Sequence, residues 1–222
     1  MDARLACLVE WIRVEAAEAK NGLLVPISGG SDSALCFWLA NKALPGKVVG
    51  VHAGSPKTLR CRKWFASIGT EIAFVKPPGR RAEVEEMRWA RFLALNLERR
   101  TWLVGCRNRT EDELHSYSLA SRVATFLPIV GVWKSGVIAL CQAAGVPAAI
   151  IAASRKADPD CGRPEAMAEI PFELVDLYLQ VKLAEVSPLL LGNLTRAQRF
   201  YLEGIYFYNR FKSALPIRGP RV

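Results

Sequence analysis

Residues 23–35 read Leu-Leu-Val-Pro-Ile-Ser-Gly-Gly-Ser-Asp-Ser-Ala-Leu, and the fold follows from how that stretch is read. The apolar run from Leu23 to Ile27 has the composition of a buried strand. It ends in Ser28-Gly29-Gly30-Ser31-Asp32-Ser33, after which Leu35, Phe37, Trp38 and Leu39 continue with helical spacing. A strand that turns through glycines into a helix presents unpaired backbone N–H groups at a helix N-terminus, which is an anion site. Gly29 and Gly30 let backbone approach a phosphate closely, and Ser28, Ser31 and Ser33 add hydroxyl donors. Asp32 is the odd member, because a carboxylate repels a phosphate. Its presence makes chemical sense with a Mg²⁺ between the two.

Working outward, residues 48–53 read as a second strand and 58–68 as the next helix. A short strand is expected at 72–75, then a Pro/Gly/Arg loop at 76–81 and a strong helix over 82–98. A fourth strand is expected at 102–105, a short fifth segment at 127–130, and a helix over 134–144 that stops at Gly145-Val146-Pro147. Strands alternating with helices predict an α/β fold, a doubly wound parallel sheet with flanking helices. Residues 170–222 read as mainly helical. The N-terminal residues 1–20 form an amphipathic helix whose apolar face is Leu5, Leu8, Trp11, Ile12 and Ala16. No repeat and no second domain are visible, so residues 1–222 are expected to form one domain.

Composition agrees. The chain has 222 residues, 51% hydrophobic and 23% charged, which is globular. No stretch reaches the length of a membrane span. Residues 1–20 carry Asp2, Glu10, Glu15 and Glu18, which is not a signal-peptide charge pattern, so a cytoplasmic location is expected. The six cysteines include no CxxC pair, and most are expected to be small core residues. The formal charge of +9 is spread along the chain without aromatic interleaving. It is weak evidence for nucleic acid, since a small anionic ligand needs positive charge as well.

The loop at 28–33 resembles the Ser-Gly-Gly-x-Asp-Ser pyrophosphate loop of the N-type ATP pyrophosphatases, which include the NAD synthetases. It is not a Walker loop, because no Gly-Lys-Ser/Thr follows the glycines. Gly105-Cys106-Arg107-Asn108-Arg109-Thr110-Glu111 resembles the NAD synthetases' G-T-x-N-K-x-E, retaining Gly105, Asn108 and Glu111. Pro128 to Lys134, followed by Val137, Leu140 and Gly145-Val146-Pro147, looks like their P-x-x-x-L-x-K…V…L…G-x-P. Arg88 falls where the family carries an arginine. Residues 170–176 resemble its G-x-x-Y-x-x-[IL]-D, and Lys212 and Pro216 fit its closing H-K-R-x-x-P. The likeness runs over roughly residues 5 to 216 and identifies the chain as a divergent short member of the NAD synthetase family.

The departures lie toward the acceptor. The family's T-K-Y-G-D is here Tyr117-Ser118-Leu119-Ala120-Ser121-Arg122, with Ser118 in place of the threonine. Its P-S-A…Q-x-D-E loop is here residues 157–165, with Glu165 at the last acid. Residues 154–165 combine Pro159, Gly162 and Pro164 with alternating charge and are expected to order over substrate, bringing Arg155, Lys156 and Arg163 to phosphates. A plain surface connection is the alternative.

The resemblance implies these roles. Asp32 and Lys134 are the candidate catalytic residues, and Asp32 and Glu111 the metal ligands. Ser28, Gly29, Gly30, Ser31, Asp32, Ser33, Ser118 and Lys134 bind ATP. Arg88, Arg163, Glu165 and Lys212 meet the acceptor. The implied reaction adenylates a carboxylate, that of deamido-NAD, and aminates it with ammonia, releasing AMP and pyrophosphate, with ATP and Mg²⁺ required. Ammonia arrives free or from a separate glutaminase. A homodimer is implied near Arg88, where Trp89 and Phe92 either serve the interface or fill the core. Two further readings stay open: another N-type ATP pyrophosphatase, acting on a different carboxylate or a tRNA base, and a non-catalytic ATP-binding relative.

Overall fold

The computed structural model describes residues 2–54, 56–68, 71–76, 84–156 and 165–214. Helix α1 (Ala3–Glu15) starts at Asp2, whose side chain accepts from the Arg4 N–H at 2.8 Å. Strand β1 (Leu23–Pro26) leads through the serine-glycine loop into α2 (Ser31–Ala43). Then come β2 (Val48–His52), α3 (Pro56–Ser67), β3 (Glu71–Phe74), α4 (Val84–Arg99) and β4 (Trp102–Leu103). The C-terminal half is helical: α5 (Arg109–Glu113), α6 (Lys134–Ala143), α7 (Ala148–Ala153), α8 (Glu165–Ala168), α9 (Phe172–Lys182) and α10 (Arg196–Asn209). Among the described residues no helix is long and apolar enough to cross a membrane.

The four strands are parallel and lie in the order β3-β2-β1-β4. Side chains of β1 alternate between two covered faces, which is why the run at 23–27 is continuously apolar. Leu23 and Val25 pack into one core with Leu5, Val9 and Ile12 of α1, Leu35 and Phe37 of α2, and Val137 and Leu140 of α6. Leu24 faces the other way, into a smaller core with Val51, Leu103, Ala124 and Phe92 of α4. A third cluster joins α9, α10 and Leu114. Helices on both faces of a parallel sheet are the expected doubly wound architecture.

The strand order positions the site. Chain order runs outward from β1 through β2 to β3, then returns to place β4 on the opposite side of β1. The reversal opens a crevice beyond the C-terminal ends of β1 and β4, where ligands bind in such sheets. The loop at 28–33 follows β1 and the segment at 105–108 follows β4, so both line that crevice.

Some expectations need correction. The fourth strand is shorter than residues 102–105: it ends at Leu103, and Val104, whose N–H still donates to the Leu24 carbonyl at 2.9 Å, pairs with Phe126 as an isolated parallel bridge. The fifth segment at 127–130 is not a strand. The chain turns there, with the Val132 N–H on the Ile129 carbonyl at 2.9 Å. On α1, Val9 takes the buried place assigned to Trp11, which is 40% exposed and stacks on Phe126 at 5.2 Å. Phe92 belongs to the core, 7% exposed, with Trp89 edge-on to it at 5.8 Å. Of the described cysteines, Cys36 and Cys141 are buried, Cys61 and Cys106 partly so, and Cys7 is exposed.

Candidate active site

The N-cap of α2 is Gly30, which has no side chain to satisfy the first turn. Those N–H groups therefore point into the crevice as an anion cradle. The loop holds its own shape. The Ser28 N–H donates to Ser33 Oγ at 3.2 Å, the Gly30 N–H to Ser28 Oγ at 3.3 Å, and Ser33 Oγ to the Gly30 carbonyl at 3.0 Å. Gly29 has φ of 83°, the left-handed region that favours glycine. Ser31 and Ser33 are buried, and the Ser33 hydroxyl braces the loop.

Lys134 is the first residue of α6 and is buried at 7% exposure. Its ammonium forms an ion pair with Asp32 Oδ2 and donates to Ser31 Oγ at 3.0 Å. The other Asp32 oxygen accepts from Asn108 Nδ2 at 2.9 Å. Asn108 is the N-cap of α5, and its Oδ1 accepts from the Glu111 N–H at 3.0 Å. One asparagine thus ties the segment after β4 to the carboxylate of the loop after β1.

Glu111 is partly buried beside this group. Burial first, and the Asp32 charge second, push its carboxyl up to about 7, against the opposing pull of Lys134. Two neighbouring carboxylates, Asp32 and Glu111, could serve as oxygen donors to Mg²⁺. That ion takes one or two carboxylates together with substrate phosphates. Among the described residues no group of three His, Cys, Asp or Glu side chains converges on a metal site.

The raised carboxyl has a testable sign. An unfolded Glu111 ionises near pH 4.5 and the folded one near 7, so between those values the folded chain holds the extra proton and stability falls as pH rises. Glu111→Gln is expected to flatten that slope between pH 5 and 7 in metal-free urea titrations. An unchanged slope would remove the burial argument.

Behind Lys134 lies a buried clamp. Asp176 of α9, 2% exposed, accepts from the Thr110 hydroxyl and, at 2.8 Å, from the Ser135 N–H at the start of α6. Thr110 Oγ1 in turn accepts from the Lys134 N–H at 2.8 Å. An acceptor and a carboxylate at the first turn of α6 satisfy its unpaired donors and aim Lys134 at Asp32.

A second cluster gathers residues assigned to the acceptor. Burial raises the Glu85 carboxyl, while the Arg88 charge beside it and a Ser118 hydrogen bond pull the other way. Lys212 Nζ donates to the Tyr117 carbonyl at 2.8 Å and feels the Glu85 charge. Arg122 and the Tyr117 hydroxyl both donate to the Lys212 carbonyl. Arg88, Ser118 and Lys212 therefore stand together around Glu85. Arg107 bridges the two clusters: its guanidinium lies 3.9 Å from the Tyr117 ring centre, and its charge acts on Glu111. Glu165 is exposed at the start of α8. Arg163, Pro216 and most of the expected covering loop, at 157–164, lie outside the described residues.

Sequence reading passed over Asn108, Thr110 and Asp176 as site members, although Asn108 and Asp176 lie in motifs that it quoted. Their partners are distant in sequence, and only the fold pairs them.

No family model matches the chain. A 45-residue stretch is 49% identical to the NH3-dependent NAD+ synthetase of Mycoplasmopsis pulmonis (strain UAB CTIP), covering 20% of this chain and 18% of that one. The alignment thus spans about a fifth of the curated relative. The structure superposes on the NH3-dependent NAD synthetase of Campylobacter jejuni subsp. jejuni NCTC 11168, solved with nitrate, with a TM-score of 0.75 at 16% identity, over 100% of this chain and 99% of that one. The NMN synthetase of Francisella tularensis gives 0.78 at 16% identity, over 98% and 97%. The fold is that of the NAD and NMN synthetases. The resemblance to the NAD synthetase family holds, in fold across the chain and in sequence over that one stretch. The parallel sheet flanked by helices is the adenine-nucleotide α-hydrolase-like architecture that this NAD synthetase resemblance implies.

Proposed function

We propose that residues 1–222 act as one ATP-dependent ligase domain that adenylates a carboxylate and aminates it with ammonia, with deamido-NAD as the acceptor. The observation that carries this reading is the convergence of Lys134, Asn108 and Asp32, with Glu111 alongside, on the sheet's switch point at a helix N-terminus whose N-cap is a glycine. The α2 N–H groups bind the phosphates of ATP. The acceptor carboxylate attacks the α-phosphorus, and the bond from that phosphorus to the bridging oxygen breaks. Lys134 offsets the charge that gathers on the departing pyrophosphate. Mg²⁺, when bound by Asp32 and Glu111, neutralises phosphate charge at the same place. Ammonia then attacks the acyl carbon, AMP leaves, and the surplus proton passes to solvent. No protein nucleophile is needed, consistent with a chain that has two histidines.

The acceptor lies against Arg88, Lys212 and Tyr117, with Arg107 between it and the phosphates. Arg163 and Glu165 belong to the same assignment. The reading includes a homodimer through α4, where Met87 is 41% exposed beside Arg88, a cytoplasmic setting, and ammonia that is free or supplied by a separate glutaminase. The departures at 117–122 and 157–165 favour, as second reading, a different carboxylate on the same ATP chemistry.

The test is product analysis by chromatography with ATP, Mg²⁺, ammonium and deamido-NAD. AMP and pyrophosphate in equal amounts are expected. ADP as the main product would overturn the class. Turnover with another carboxylate but none with deamido-NAD would change only the acceptor.

A further inference from the structure

The first backbone N–H of the anion cradle is occupied by the chain itself. The Ser31 N–H donates to Ser154 Oγ at 2.9 Å, across 123 residues of sequence. Ser154 caps the end of α7, and its hydroxyl proton points at the Ile150 carbonyl at 3.2 Å. Its oxygen is thereby left facing Ser31 as an acceptor, the role that a phosphate oxygen plays at a helix N-terminus. An N–H makes one strong hydrogen bond, so phosphate and Ser154 compete for it.

Beyond the hydroxyl, the Arg155 N–H donates to the Ala152 carbonyl at 3.2 Å and the Lys156 N–H to the Ala153 carbonyl at 3.3 Å. The Arg155 guanidinium is 3.6 Å from Glu173 Oε1, but both side chains are about half exposed, at 51% and 55%, and such pairs contribute little. Arg155 also lies 5.9 Å from the Phe172 ring, whose centre is 5.3 Å from Lys134 Nζ. The end of α7 therefore sits beside the phosphate cation, docked on the cradle by its serine.

We propose that Ser154 Oγ is a built-in occupant of the phosphate cradle, displaced when a nucleotide's phosphate takes the Ser31 N–H. The inference rests on the reading of residues 28–33 as a phosphate loop. Removing the hydroxyl leaves that N–H unpaired in the free protein and takes away the competitor.

The test is calorimetric binding of inorganic pyrophosphate, with Mg²⁺, to the full chain and to Ser154→Ala and Ser154→Thr. Ser154→Ala is expected to bind roughly three- to tenfold more tightly, the range of one net hydrogen bond. Ser154→Thr keeps the hydroxyl and is expected to stay near the wild-type affinity. Unchanged or weaker binding by Ser154→Ala, with a wild type that binds, overturns the displacement alone. A wild type that binds neither pyrophosphate nor ATP overturns the phosphate-loop reading and the displacement with it.

Discussion

Asp32→Asn is expected to lower ATP-dependent pyrophosphate release by about a hundredfold to a thousandfold, the loss typical of removing one preorganised charge or donor. The substitution keeps the shape and an oxygen for Asn108 to reach. It removes the negative charge that balances Lys134 and, in the proposed function, holds the metal. It also leaves an ammonium, buried at 7% exposure, without its counter-ion, which is costly. Stability is therefore expected to fall along with activity. Adding Lys134→Met to Asp32→Asn separates the two effects: the urea midpoint recovers and the activity does not. Release within tenfold of wild type by a folded Asp32→Asn protein would contradict the role given to this carboxylate.

Asp176→Ala is expected to cost about 3–5 kcal/mol, the largest stability loss of any single polar substitution in the site. Its carboxylate accepts from the Thr110 hydroxyl and the Ser135 N–H. Each hydrogen bond to a charged group contributes about 1.5–3 kcal/mol, and a buried donor left unsatisfied is penalised. The first turn of α6 also loses a favourable negative charge. Because Lys134 sits on that turn, kcat is expected to drop further than the loss of folded protein explains. Urea unfolding and turnover measured on the same samples check both. A loss below about 1 kcal/mol would mean that water replaces the clamp.

The serine-glycine loop between β1 and α2 was legible because everything that makes it is contiguous: a strand, two glycines, a helix start and the out-of-place Asp32. The alternation of elements was legible for the same reason, since hydrophobic period is local. β4 was overestimated because Val104 and Gly105 look like strand, yet beyond Leu103 the regular ladder with β1 gives way to an isolated bridge from Val104 to Phe126. Trp11 was misassigned to the buried face because helical spacing does not tell Val9 from its neighbours until the sheet covers one side. The clamp at Asp176 was invisible for a different reason. A lone aspartate in Leu174-Val175-Asp176 carries no local sign that Thr110 and Ser135 are to meet it. The grouping of Ser118 with Arg88 and Lys212 likewise depends on where the end of the chain returns.

Those same separations set an order of assembly. Asp32 meets Asn108 across 76 residues and Lys134 across 102, while Asp176 reaches Ser135 across 41. Contacts of such long range are closed late, after the loss of chain entropy that they require. A nascent chain emerged only as far as α5 carries the serine-glycine loop and both carboxylates, but neither the lysine nor the aspartate that aims it. During synthesis the anion cradle is therefore present as sequence well before it exists as a charged pocket, and the pocket matures when α9 leaves the ribosome and locks α6 in place.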